Sequence, residues 1–321
     1  MKIVQCVPNI SEGTDLKKID RIVAPLKNQK GFKLVNIEAD SDYNRTVITI
    51  IGDPDEMINP LLKFIENAKL EIDMNYHQGE HPRMGAVDVI PFIPIKDVSM
   101  EECINYANLL AEKVASELTI PVYLYAEAAK TSKRRNLPTI RRGEFEGMKE
   151  KITLKEWEPD YGEAKIHPSF GVVAIGARLP LIAYNIDLGT DDEKIANNVA
   201  RAIRKSSGGF AFVQAGPVFL EERGHVQVTM NILDFKKNPL YRVLETVRME
   251  LKRYQVAVLG SEVIGLIPKE ALLRSLRYYL LKDNEEYNKE ISFLEITNLA
   301  KKYLQLRDFD SNKIIEANLG D

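Results

Sequence analysis

The stretch Val47-Ile48-Thr49-Ile50-Ile51-Gly52-Asp53-Pro54-Asp55-Glu56 contains the strand-to-helix pattern that decides the fold class of this chain. Its β-branched first half predicts a strand that ends at Gly52. Asp53 then provides a helix N-cap, and Pro54 suits the first helical position because an N–H there would have no partner. The stretch therefore predicts a strand leading directly into a helix, whose buried stripe is Ile58, Leu61, Leu62 and Ile65.

The same succession of strand and capped helix recurs further along the chain. Residues 87–95 form an apolar, strand-like run, and the capping box Ser99-Met100-Glu101-Glu102 follows it. Residues 172–177 and 181–186 are expected to form a strand pair that turns at Leu179-Pro180. Short β-branched runs that alternate with helical patterns are typical of a protein with both helices and sheets.

The second half of the chain repeats this alternation. Thr190-Asp191-Asp192-Glu193 predicts a second capping box, and residues 226–233 predict a strand. Asn238-Pro239 opens a helix whose inward residues are predicted to be Leu240, Val243, Leu244, Val247 and Leu251. We therefore expect an α/β (α+β) protein with two subdomains, each a mainly antiparallel sheet backed by helices in a ferredoxin-like layering.

The subdomain boundaries follow from the interruptions of this pattern. We expect a first subdomain over residues 1–178, a second over residues 179–282, and a helical C-terminal tail over residues 283–321. The tail is charged, and Phe293, Ile296 and Leu299 give it a stripe with which to dock.

Composition and charge narrow the possible partners and the compartment. The net charge of -3 and the pI near 6.0 do not give the basic field typical of nucleic-acid binders. The chain has two cysteines, Cys6 and Cys103, which are far apart in sequence and do not form a C-x-x-C pair. No signal-peptide pattern and no membrane-spanning apolar run is present in the sequence. We therefore expect a cytoplasmic protein with no nucleic acid and no membrane partner.

His81 is the first candidate for chemistry. It lies on a loop, is followed by Pro82, and precedes the strand that begins near Ala86. Loops carried by a rigid sheet are where catalytic groups concentrate, and imidazole can accept and return a proton near neutral pH. The same pattern also fits a loop histidine that only caps a carbonyl group.

A zinc site is the alternative interpretation of this segment, because His77, Glu80 and His81 match the H-x-x-E-H pattern of a zinc hydrolase. That motif needs a helix, so that both histidines share one face. Gly79 disfavours the helix, and Pro82 pushes the preceding residue out of the helical region. We therefore expect no metal here.

Two further clusters could contribute to a site. Glu38, Asp40 and Asp42 lie with Arg45 at a predicted strand end, where a carboxylate could orient His81 and Arg45 could bind a substrate carboxylate. Asp-Ser-Asp is also ordinary turn chemistry. The second cluster is Gly162-Glu163-Ala164-Lys165-Ile166-His167-Pro168-Ser169-Phe170-Gly171, which could be a ligand site at a domain junction or a simple linker.

At these same residues the chain resembles the glutamate formimidoyltransferase (formiminotransferase) family. The resemblance begins at Val4-Gln5-Cys6-Val7-Pro8-Asn9-Ile10-Ser11-Glu12-Gly13 and includes Asn44-Arg45-Thr46. Its most specific part is Gly79-Glu80-His81-Pro82-Arg83-Met84-Gly85-Ala86-Val87-Asp88-Val89-Ile90-Pro91-Phe92-Ile93-Pro94. It continues through Gly260-Ser261-Glu262-Val263-Ile264-Gly265-Leu266-Ile267-Pro268 and covers roughly residues 1–282.

The resemblance implies a fold and a reaction. It implies two α/β subdomains with a folate tunnel between them, and transfer of a formimino group from N-formimino-L-glutamate to tetrahydrofolate in histidine degradation. The stand-alone form without a cyclodeaminase domain is expected. A related transferase that uses formiminoglycine or N-formylglutamate would share all these motifs, so the donor stays open. A homodimer is expected for a symmetric enzyme of this kind.

The resemblance also implies roles for particular residues. The family's catalytic histidine falls on His81, and its folate-binding segment falls on residues 162–171. Glu38 stands where the family usually has Asp, so Glu38 or Asp40 is the expected partner of His81. Arg45 and Arg83 are the candidates for the donor carboxylates, and Lys133-Arg134-Arg135 is the candidate for the glutamate tail of the folate.

Overall fold

The computed structural model describes residues 2–41, 43–79, 81–221, 223–283 and 290–318, so Asp42 and Glu80 lie outside the described residues. The chain divides into two compact units, Met1–Arg178 and Leu179–Asp321. No helix in the described ranges is both long enough and apolar enough to cross a membrane.

The first unit is built on a mixed sheet. Its strands are β1 (Ile3–Cys6), β2 (Asn9–Ile10), β3 (Phe32–Asp40), β4 (Arg45–Gly52), β5 (Val87–Lys96), β6 (Val122–Ala126) and β7 (Val173–Ala177). The strand order is β1-β4-β2-β5-β7-β6, with β3 on the outer side of β4. The β5–β7 and β6–β7 pairs are parallel, and the other pairs are antiparallel.

Helices cover both faces of this sheet to different extents. They are α1 (Leu16–Val23), α2 (Pro54–Glu71), α3 (Met100–Leu118), α4 (Leu137–Arg141) and α5 (Glu144–Lys151). The first three pack on one face and form the main core, which includes Ile50, Phe64 and Leu110. Helices α4 and α5 cover the opposite face at the β5–β7–β6 end, where Ile140 and Met148 pack on the strands.

The second unit is an antiparallel sheet backed by helices. Its strands are β8 (Ile182–Leu188), β9 (Val213–Leu220), β10 (His225–Ile232) and β11 (Val258–Ile264), in the order β11-β8-β10-β9. Its helices are α6 (Glu193–Ile203), α7 (Leu240–Lys252), α8 (Lys269–Lys282) and α9 (Phe293–Leu304). Helix α9 contributes Ile296 and Leu304 to the same core, and Leu306 forms a bridge to Ser261 of β11.

The predicted fold class is confirmed, because two sheets backed by helices are present. Strand β4 leads into α2 as predicted, and the Asp53 side chain accepts from Asp55 N as the cap of this helix. The Ser99–Glu102 capping box of α3 is present in both directions. The inward face predicted for α7 is also the buried one.

Two local predictions are wrong. Residues 173–177 and 182–188 are not a strand pair, because β7 pairs in parallel with β5 and β6 while β8 belongs to the second sheet. Helix α6 is capped by Asp192, whose side chain accepts from Lys194 N, whereas the Thr190 hydroxyl accepts from Asp192 N. The helix therefore begins later than a capping box at Thr190 requires.

The turn before β7 packs closely against the chain before β5 at Gly171. Its φ is +89°, and an added Cβ would lie 2.1 Å from Met84 O. We predict that Gly171→Ala lowers the free energy of unfolding by about 2–4 kcal/mol, measured by denaturant titration.

Gly147 of α5 is the matched control, because an added Cβ there meets nothing within 4 Å. Gly147→Ala is expected to raise the free energy of unfolding by about 0.5–1 kcal/mol, since alanine favours a helix interior. Equal effects of the two substitutions would contradict this account of the packing.

Candidate functional site

Three chain segments of the first unit meet in a pocket around His81. The lining residues come from the end of β2 (Ile10, Ser11), from the β3–β4 turn (Tyr43, Asn44, Arg45) and from the irregular segment before β5 (His77, His81, Arg83), with Asp88 of β5 beside them. The first two segments lie at strand ends, and the third is an irregular loop. The positions of their side chains therefore depend on the hydrogen bonds between these segments.

Asn44 ties the loops together. Its side-chain Oδ1 accepts from Gly13 N at 2.8 Å, and its Nδ2 donates to Gln78 O at 2.7 Å. Its own carbonyl oxygen accepts from His77 Nε2 at 2.9 Å. The backbone of Asn44 has a φ of +45°, a conformation that asparagine tolerates better than most residues. One residue thus links the segment after β2, the β3–β4 turn and the segment that carries His81.

Arg45 holds the imidazole of His81 directly. One terminal nitrogen, Nη1, donates to His81 Nε2, and the other, Nη2, donates to Asn9 Oδ1. A guanidinium group can only donate, so His81 Nε2 is an acceptor. His81 is therefore a neutral imidazole with its proton on Nδ1.

The surroundings of His81 keep it neutral. Burial, followed by the positive charges of Arg45 and Arg141, lowers its pKa to about 4, although Asp88 acts in the opposite direction. Burial also lowers the pKa of Arg45, to about 10, and the charge of Arg141 adds to this effect. A site that disfavours positive charge keeps the imidazole in the neutral form that can accept a proton, while the lower pKa makes it a weaker base.

Asp88 is the carboxylate that shares the pocket with His81, and the sequence pattern predicted no role for it. It is 2% exposed, accepts from Met84 N at 2.9 Å, and is bound by the guanidinium of Arg141. The sequence could have indicated that Asp88 is paired, because a carboxylate inside the apolar run 87–95 needs a partner if it is buried. Nothing in the sequence pattern pointed to Arg141 as that partner.

Glu38 and Asp40 lie on β3, close to the hairpin turn. Glu38 accepts from Asn36 Nδ2 at 2.8 Å, and Asp40 accepts from Tyr43 N at 2.9 Å. Asp40 is directly opposite Arg45 in the β3–β4 register. Within the described ranges neither carboxylate is hydrogen-bonded to His81, so their catalytic role stays a prediction.

Arg83 is held by the protein itself. Its Nη1 donates to Glu144 at 2.7 Å and to Glu146 at 2.9 Å, its Nη2 donates to Glu146 at 2.7 Å, and its Nε donates to His77 Nδ1 at 3.2 Å. These contacts favour a positioning role for Arg83 over the substrate-binding role predicted from the sequence.

The helix that a zinc motif would need is not formed, since residues 77–79 and 81–84 are irregular. Both ring nitrogens of His77 are engaged, Nδ1 with Arg83 and Nε2 with Asn44 O. Glu80, the third member of the proposed zinc motif, lies outside the described residues. In the remainder of the chain that is described, no group of three potential ligands is gathered for a metal.

The segment 162–171 lies beside the chain that leaves His81. His167 and Gly171 exchange backbone hydrogen bonds of 3.2 and 3.0 Å around a turn, and His167 Nδ1 accepts from Phe170 N at 3.1 Å. Ala86 N donates to Phe170 O at 2.8 Å, which joins this turn to the start of β5. Residues 162–165 are exposed. The folate-binding role of the segment stays a prediction.

The basic cluster 133–135 is engaged within the protein. Arg134 is buried and forms an ion pair of 2.9 Å with Asp160, while Lys133 pairs with Glu156 at 2.6 Å and Arg135 pairs with Glu127. The predicted contact of this cluster with a folate tail stays a prediction, and the buried ion pair of Arg134 with Asp160 favours a structural role for that arginine.

Comparisons with known proteins agree on one family. The model of the formiminotransferase domain, N-terminal subdomain, matches residues 3–178, and the model of the formiminotransferase domain matches residues 183–319. A glutamate formimidoyltransferase of Streptococcus pyogenes is 46% identical over 90% of this chain and 97% of its own. One from Thermoplasma acidophilum is 40% identical over 99% and 98%. A formimidoyltransferase-cyclodeaminase of Mus musculus is 41% identical over 88% of this chain and 53% of its own.

The bridging role of Asn44 leads to a prediction for hydrogen exchange. Asn44→Ala removes the acceptor of Gly13 N and the donor to Gln78 O, so the free energy of unfolding should fall by about 1–3 kcal/mol. Backbone amides of residues 9–14 and 77–79 should exchange faster, as measured by mass spectrometry.

Asn67→Ala is the matched control, because Asn67 is a half-buried asparagine of α2 whose side chain donates to Arg21 O at 2.9 Å. Its effect on stability should stay within about 0.5 kcal/mol. Unchanged exchange at residues 77–79 in Asn44→Ala would show that Asn44 does not hold that segment.

Proposed function

This chain belongs to the formiminotransferase family, and we propose that it transfers a formimino group from N-formimino-L-glutamate to tetrahydrofolate. The products are 5-formiminotetrahydrofolate and L-glutamate. Tetrahydrofolate is a co-substrate here, and its secondary amine is the nucleophile. The observation that carries the residue assignment is the neutral, half-buried imidazole of His81 at the centre of the pocket.

His81 moves the proton in both halves of the reaction. The folate nitrogen attacks the formimino carbon and forms a new C–N bond, and His81 accepts the proton that this nitrogen loses. The tetrahedral intermediate then collapses, the bond to the glutamate nitrogen breaks, and His81 returns the proton to that nitrogen. One imidazole acts as base and then as acid, so no covalent intermediate with the protein is needed.

Arg45 binds a carboxylate of the donor. Its guanidinium reaches into the pocket, and a carboxylate can accept two parallel hydrogen bonds from it. Arg83, with Glu144 and Glu146, forms one wall of the pocket and positions His77. Residues 162–171 bind the folate; their turn is hydrogen-bonded to the start of β5, so folate held there lies beside the segment that carries His81.

A carboxylate stabilises the imidazolium form of His81 while it holds the proton. Asp88 can do so in the described conformation, because it lines the pocket and raises the pKa of His81. Glu38 remains a candidate through the β3–β4 hairpin, since it follows the same alternation along β3 as Asp40, which is opposite Arg45. Substitution of each carboxylate in turn separates the two.

The compartment and the oligomeric state of the protein are proposed from its sequence. Cys6 and Cys103 are buried, unpaired thiols, which fits a reducing cytoplasm. A homodimer is proposed from the prevalence of two-fold symmetric enzymes, and light scattering at assay concentration tests it.

We predict that His81→Ala lowers kcat by at least about a hundredfold with both substrates saturating, because the proton would have no carrier. The assay follows the absorbance of the folate product with N-formimino-L-glutamate as donor. Tetrahydrofolate binding, measured by fluorescence, should be retained.

His225→Ala is the matched control, since His225 lies in the second unit, outside the His81 pocket. A kcat for His81→Ala within threefold of the native value would remove His81 from the mechanism. Formiminoglycine and N-formylglutamate are tested in the same assay. A higher kcat/KM with either compound than with N-formimino-L-glutamate would make that compound the assigned donor. It would not change the assignment of the family.

A further inference from the structure

Arg45 differs from the other arginines around the pocket in the charge of its partners. Arg83 is neutralised by Glu144 and Glu146, and Arg141 is neutralised by Asp88. Arg45, in contrast, donates to the His81 imidazole and to the Asn9 amide, which are both neutral groups. Its Nε is buried without any acceptor among the described residues. No carboxylate among the described residues is therefore hydrogen-bonded to this desolvated cation, and the nearby Asp88, which raises the pKa of Arg45, is bound by Arg141.

Desolvation of an unpaired guanidinium is costly, and a carboxylate within reach would relieve that cost. The lowered pKa values of Arg45 and His81 agree with this imbalance, since burial is the largest cause of both, and the opposing charge of Asp88 does not cancel it. The space beside Arg45 is consequently a site for a carboxylate anion.

The contact with His81 gives this carboxylate a second effect. In the described conformation Arg45 occupies His81 Nε2, the lone pair that a base would use. A guanidinium that turns its two terminal nitrogens, Nη1 and Nη2, toward a substrate carboxylate gives up its contacts with both His81 and Asn9. Binding of an acidic donor should therefore free Nε2 as it satisfies Arg45.

We propose that Arg45 makes His81 available as a base only when a carboxylate occupies the adjacent site, so that the protein selects acidic formimino donors by activating its base with them. The proposal rests on the proposed function and assigns Arg45 as a specificity-determining residue. A donor without a carboxylate would enter the pocket and find Nε2 still occupied.

The test divides the donor into two pieces. Formamidine supplies the formimino group alone: the folate nitrogen forms a bond to its carbon, the C–N bond to the other nitrogen breaks, and ammonia leaves with the proton from His81. Propionate supplies the carboxylate alone. Propionate should raise the rate of transfer from formamidine by about tenfold or more, and propionamide should not, because it carries no negative charge.

Substitution of Arg45 should separate the two effects. Arg45→Met has no donor to place on Nε2, so its rate with formamidine should exceed that of the native protein and should not respond to propionate. Its KM for N-formimino-L-glutamate should rise about tenfold or more, because the carboxylate contact is lost. Arg142→Gln is the matched control, since Arg142 is exposed and adjacent to Arg141, and it should respond to propionate as the native protein does.

Propionate and propionamide are compared with the native protein, so this part of the test remains valid even if Arg45→Met does not fold. Equal rates with propionate and propionamide, or an undiminished propionate effect in a folded Arg45→Met, would overturn the proposal. Failure of the native protein to transfer from N-formimino-L-glutamate would instead overturn the proposed function.

Discussion

The hydrogen bond from Arg45 to His81 is the interaction on which the site depends. It fixes which nitrogen of the imidazole carries the proton, it brings positive charge next to a group that could otherwise become cationic, and it occupies the basic lone pair. The proton position and the occupied lone pair follow because guanidinium donates and does not accept, and the electrostatic effect follows because it is positively charged. The state of His81 is therefore set by a neighbour and not by the imidazole alone.

The fold supplies that neighbour through the tip of one hairpin. Strands β3 and β4 place Arg45 at the tip of their hairpin, and Asn44 beside it ties the tip to the segment before β5. The walls of the pocket are ion pairs that the protein completes itself, Asp88 with Arg141 and Arg83 with Glu144 and Glu146. Removing one member of a buried pair typically costs about 3–5 kcal/mol, which applies to Asp88 with Arg141, so that wall stays in place while Arg45 exchanges its partner.

The sequence predicted those parts of the structure that depend on local chemistry. Caps and apolar periodicity located α2, α3 and α7, and the proline after His81 indicated a loop where the structure has one. The strand pair expected over residues 172–186 failed for a non-local reason. Strand β7 is completed by β5 and β6, far away in sequence, and neighbouring strands in a sequence need not share a sheet.

The site was predictable only in part for the same reason. His81 and Arg45 belong to recognisable motifs, and the structure brings them into contact. The partners that occupy Arg83, and the pairing of Asp88 with Arg141 across 53 positions, depend on how α4 and α5 pack over β5. Residue type alone indicates that a buried charge needs a partner, but it does not indicate which one.

A titration of the His81 imidazole by nuclear magnetic resonance in the protein without substrates tests this account most directly. Burial and the two neighbouring arginines predict a pKa of about 4, so the imidazole should remain neutral as the pH falls from 7 to about 5. An imidazole that becomes charged near or above 6.5 would contradict the account, because it would mean that His81 is neither desolvated nor held by the cation of Arg45.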